Sequence, residues 1–81
     1  MELENKIEAI IFLSKEKLSV DDLVNYFKVD KQRMIEKIER LIEMRKVTGI
    51  NIRLENELIS LVSNPLCGED VRNFFNPELK I

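Results

Sequence analysis

Residues 18–45 read LSVDDLVNYFKVDKQRMIEKIERLIEMR, and one helix-starting pattern occurs twice within them. Ser19 stands as an N-cap, with Asp22 at the third helical position, where a carboxylate favours the helix dipole. Leu18 and Leu23 occupy the two positions of a hydrophobic staple. The spacing predicts a helix to about Phe27 that buries Val20, Leu23, Val24 and Phe27. Asp30 then caps a second helix, with Val29 and Met34 as its staple. That helix, about residues 31–46, aligns Met34, Ile35, Ile38, Leu41 and Ile42 on one face. Two helices joined by a tight turn read as a helix-turn-helix.

Both flanks extend this unit. Upstream, a helix over about residues 2–14 lines up Leu3, Ile7, Ile10, Ile11 and Ser14 in one stripe. Downstream of Thr48 and Gly49, the runs INIRL (50–54) and LISLV (58–62) flank Glu55, Asn56 and Glu57 as a β-hairpin would. Asn64 and Pro65 then open a last helix as N-cap and first helical residue, with Cys67, Val71, Phe74 and Phe75 at helical spacing. Asn76-Pro77 ends it. Helix, helix-turn-helix, hairpin, helix is a mainly α chain with a small β-hairpin, a winged helix-turn-helix over residues 1–76. Residues 77–81 read as a linker or a cut end.

Composition restricts the function. At 44% hydrophobic and 35% charged residues, the 81-residue chain suits a folded, mostly helical domain. There is no His, the commonest general base and metal ligand. The lone Cys67 has no second Cys to pair with, fits a reducing cytoplasm, and is expected to be an ordinary buried small residue. Asp21 and Asp22 belong to a helix start, where acids are favoured. With no glycine-rich phosphate loop either, an enzyme is not expected, and no metal or cofactor is implied. The acidic start of the chain is unlike a signal peptide, and no apolar run is long enough for a membrane helix.

DNA binding is the natural guess for a winged helix. Lys31, Arg33, Lys37 and Arg40 are the candidate DNA contacts on the third helix. Against them, Gln32, Glu36, Glu39 and Glu43 form an adjacent, mostly acidic stripe, the pattern of a solvated face laced with weak ion pairs. The net charge of −2 lacks the basic excess of a phosphate-binding module. Glu55 and Glu57 at the hairpin tip would repel phosphates. Sequence-specific binding of nucleic acid by this domain alone is not expected.

The run IEAIIFL (7–13) carries surplus apolar surface. Ala9 and Phe12 point away from the stripe of the first helix, and Leu13 lies at its margin. Periodicity leaves two readings open. The first helix is sandwiched between the third and the last, or Ala9, Phe12 and Leu13 meet a partner chain.

Three segments in succession carry a resemblance. KIEAIIFLSKEKLSVDDLVNYF (6–27) resembles the opening of the segregation and condensation protein B (ScpB) family, which typically runs close to IEAILFASGEPLS before a spaced leucine. ELISLVSNP (57–65) resembles the family's wing strand, often GYQLVTRP, and RNFFNPELKI (72–81) the segment leading out of its first winged helix. Lys15, Glu16 and Lys17 replace a common Gly-Glu-Pro turn, and the wing turn lacks the usual glycines. The family's second winged-helix domain has no counterpart in these 81 residues, so the resemblance leaves two expectations, an excised N-terminal domain, favoured by the linker-like ending, or a natural short relative. The resemblance implies a non-enzymatic subunit of the bacterial SMC condensin complex, cytoplasmic and nucleoid-associated. Such a subunit is a homodimer through its N-terminal winged helix. It binds the kleisin ScpA and, through it, SMC, in chromosome condensation and segregation. Phe12 would then anchor the dimer, with Ala9 allowing close approach and Leu13 widening the patch. Phe74 and Phe75 would first serve the domain's own core and then add to that dimer contact.

Overall fold

A computed structural model describes residues 1–76; the linker expected at 77–81 lies outside the described residues. The elements are α1 (Leu3–Leu13), β1 (Leu18–Ser19), α2 (Val20–Phe27), α3 (Lys31–Arg45), β2 (Ile50–Glu55), β3 (Leu58–Ser63), a 3₁₀ turn (Pro65–Cys67) and α4 (Gly68–Phe75). This is the winged helix-turn-helix expected from the sequence.

Both caps form as their residues dictate. The Ser19 hydroxyl accepts from the Asp22 backbone N–H at 3.0 Å, and the Asp30 carboxylate from that of Arg33 at 2.9 Å. Between the two helices the chain reverses through Lys28, whose left-handed backbone (φ 55°) ends α2 while its N–H donates to the Val24 carbonyl. No glycine supplies that conformation, so the turn carries local strain.

The hairpin closes through a two-residue loop, Asn56 and Glu57, with Glu55 opposite Leu58. Both loop residues have positive φ, 53° and 61°, the requirement of a type I′ turn. The absent glycines therefore do not alter the hairpin geometry; Asn56 tolerates the left-handed region well and Glu57 bears strain. β1, which the sequence reading missed, pairs antiparallel with β3 and makes the sheet three-stranded in the order β1-β3-β2. Leu18 and Ser19, read as staple and cap, thus also sit opposite Ile59 and Leu58.

The core draws on the first three helices and the two wing strands. Ile7 and Ile11 of α1, Val20 and Leu23 of α2, Met34, Ile38 and Leu41 of α3, Ile52 of β2 and Ile59 of β3 are all buried. Leu3, Ile10, Val24, Phe27, Ile35 and Ile42 pack around them. Which apolar face of α1 is core, left open by periodicity, is decided here: the Ile7–Ile11 face is buried and the face carrying Phe12 is exposed.

The C-terminal part departs from expectation. Helix formation begins as a 3₁₀ turn after Asn64, and α4 starts only at Gly68. α4 buries no residue and has its substantial contacts with the 3₁₀ turn alone. Phe74 and Phe75 are exposed and stack edge-to-face on each other, 5.1 Å between ring centroids, so they do not close the core. Cys67 is half-buried rather than buried. α1 is consequently not sandwiched between α3 and the last helix. Helical spacing in α4 marked an apolar face correctly but could not say what would cover it.

Candidate interaction surface

Because α1 spends Ile7 and Ile11 on the core, residues about 100° and 200° further round must face outward. Phe12 is 71% and Leu13 75% exposed, and Ala9 is exposed beside them. Large apolar side chains in such a cluster mark a contact surface more often than a solvated one.

Ala9 and Phe12 form one wall of a groove of about 460 Å³ between α1 and the wing. Ile50 and Ile52 of β2 and Leu61 and Val62 of β3 line the other side. Also in the lining, Arg45 from the last turn of α3 donates to Glu8 at 2.9 Å, a half-buried pair that ties α1 to α3. Asn5 and Ser63 add neutral polar groups, so the groove is mostly apolar and its one charged pair is internally neutralised. Such a site favours an apolar segment over an ionic ligand.

Of the three residues that sequence reasoning singled out, Ala9 and Phe12 line this groove and Leu13 does not, and the wing wall was missed. One signal was legible: LISLV is apolar on both alternating phases, so its two faces both needed cover. Which side the groove occupies followed only from packing α1 across the sheet.

The basic residues of α3 are mostly engaged elsewhere. Lys31 lies between Asp21, at 3.5 Å, and Glu57 at the wing tip. The hydrogen bond to Glu57, helped by the charge of Asp21, holds the Lys31 ammonium above its ordinary range. Lys37, at 3.4 Å, and Arg40, at 3.8 Å, converge on Glu4 of α1. The backbone N–H of Glu4, and then these two cations, hold its carboxyl below the ordinary carboxylate range against partial desolvation. Arg33 is the member of the four with no carboxylate within 4 Å among the described residues. Among those residues, too, no three Cys, Asp or Glu side chains cluster as metal ligands do.

No family model matches the chain, and no curated protein is similar to it in sequence. Among solved structures, the crystal structure of ScpB from Mycobacterium tuberculosis superposes with a TM-score of 0.82 at 16% identity, over 99% of this chain and 51% of that one. At this identity the likeness establishes the fold. The chain is a winged-helix domain of the kind found in that ScpB, and it spans about half the length of that protein.

Proposed function

We propose that this chain is a non-enzymatic, ScpB-like subunit of a bacterial SMC condensin complex. In that role it dimerises through the α1 surface around Ala9, Phe12 and Leu13, engages the kleisin ScpA, and works on the nucleoid in chromosome condensation and segregation. The observation that carries this reading is the exposed Phe12–Leu13 patch beside an apolar groove, on a fold that matches ScpB.

A protein-binding role also suits the charge distribution. Three of the four cations available to a DNA-reading α3 are spent on Asp21, Glu57 and Glu4, and the wing tip is acidic. Phosphate contact would require breaking those pairs and bringing carboxylates towards the backbone.

Sedimentation equilibrium over a range of concentrations, followed by titration of a labelled internal segment of the cognate ScpA, tests the proposal. The expected result is a concentration-dependent dimer that binds the kleisin segment, with duplex DNA giving no signal even at low salt. A strict monomer without kleisin binding overturns it. Steeply salt-dependent duplex binding, lost on replacing Arg33 and Arg40 together, would install the DNA-binding reading instead.

A further inference from the structure

One apolar helix and one apolar groove lack a counterpart among the described residues. α4 has only eight residues, too few to hold a helix in water without tertiary support. Its apolar side is nonetheless open: Phe74 is 79% and Phe75 72% exposed, and Leu66 in the preceding 3₁₀ turn is 91% exposed. No α4 residue lines the groove between α1 and the wing.

The direction in which α4 leaves the body is set by Asn64. Its side-chain amide donates to the carbonyls of Lys46, at 3.2 Å, and Thr48, at 2.9 Å, while its Oδ1 accepts from the Leu66 N–H at 3.0 Å. These bonds pin the 3₁₀ turn to the loop after α3 and launch α4 outward. The Cα radius of gyration, 15.0 Å, exceeds the roughly 12 Å of a compact chain of this length.

We propose that α4 of one copy lies in the α1–wing groove of a second copy, reciprocally about a two-fold axis. This rests on the dimer reading above and replaces its simplest form, α1 against α1, with an exchange of C-terminal helices. Phe74 and Phe75 enter the groove against Phe12 and Ala9, so each copy supplies one helix and one groove, and the contact closes on itself.

The area involved suits a stable pair. An aromatic side chain buries about 150–250 Å². At the exposures of Phe12, Phe74 and Phe75, these three rings offer roughly 450 Å² per chain and about 900 Å² per pair. Leu13, Ile50 and Leu66 at the margins, all exposed, bring the total to the ~1,200 Å² at which specific interfaces begin.

Three species separate the exchange from the dimer reading itself: the native chain, Phe12→Lys, and the double variant Phe74→Glu/Phe75→Glu. All three substituted positions are exposed, and unchanged far-UV dichroism and urea midpoint confirm folding. Sedimentation equilibrium should show a native dimer and, for each variant alone, a dissociation constant raised on the order of 30-fold or more. An equimolar mixture of the two variants should recover dimer, because one native helix–groove contact survives and the other sets the introduced lysine against the introduced glutamates. A native monomer overturns both the dimer reading and the exchange. A Phe74→Glu/Phe75→Glu chain that still dimerises overturns the exchange and leaves the dimer. Failure of the mixture to recover, or a Phe12→Lys chain that dimerises normally, also overturns the exchange.

Discussion

Replacing Asn64 with alanine should be among the most damaging single changes outside the apolar core. Asn64 is the one buried polar residue among the described residues, 7% exposed, and its side chain takes part in three hydrogen bonds. At about 1 kcal/mol each these amount to about 3 kcal/mol. Leu66 is exposed, so its freed N–H finds water, and the expected loss falls to about 2 kcal/mol. A domain of this size has a stability of about 4–12 kcal/mol, so the loss is a large fraction of the whole. The melting temperature should drop by roughly 8–16 °C. Asn64→Asp separates stapling from capping. The carboxylate still accepts from Leu66 but loses both donors and turns an oxygen towards the carbonyls of Lys46 and Thr48, so it should be less stable than Asn64→Ala. Urea unfolding followed by circular dichroism, with an unchanged denaturant slope, measures both variants. An alanine variant within about 0.5 kcal/mol of the native chain, or an Asp variant as stable as native, would refute the reasoning.

Other consequences can be checked by the same unfolding experiments. Glu57→Gly relieves the positive φ at the second loop position but also removes the exposed pair with Lys31, so it is compared with Glu57→Ala, which loses the same pair and keeps the strained backbone; the glycine variant should be the more stable by about 0.5–1 kcal/mol, and equal stability would show that position 57 is not strained. Because the Glu4 carboxyl is held below its unfolded-state pKa, its contribution is present above that pKa and is lost as pH falls through the folded value. Glu4→Gln should therefore lower stability near neutrality and converge with the native chain in acid, and parallel pH profiles would contradict a carboxyl held low by its backbone N–H and then by Lys37 and Arg40. Lys31, held high, should contribute at all lower pH and lose its contribution only as pH rises through its raised value; Lys31→Met should flatten that alkaline limb. Met34→Ala, at a fully buried position of α3, should cost about 2–5 kcal/mol, whereas Met44→Ala, exposed on the same helix, should change stability by less than about 0.5 kcal/mol.

What could be read from residues in order depended on neighbours a few positions apart. The caps at Ser19 and Asp30, the core stripe of α1, the buried face of α3 and the two wing strands all formed where spacing placed them. Each is decided by a helical turn, a two-residue strand period or a side chain reaching three positions along the backbone, so short-range physics suffices.

The departures arose where a residue's environment is built by distant parts of the chain. β1 is two residues long and exists only because β3 lies beside it. Periodicity marked the apolar side of α4 but gave it to the core, whereas the anchoring of Asn64 to the carbonyls of Lys46 and Thr48 directs that helix into solvent. That Ala9 and Phe12 point away from the Ile7–Ile11 stripe, with Leu13 at its margin, was legible in IEAIIFL, but whether the last helix covers them was not. The groove beside Ala9 and Phe12 was not, since its far wall comes from strands some forty residues later. Sequence alone determined the winged helix and which faces are apolar, because those follow from local geometry. Which apolar faces cover one another, and which are left for another chain, was decided only when the tertiary contacts closed.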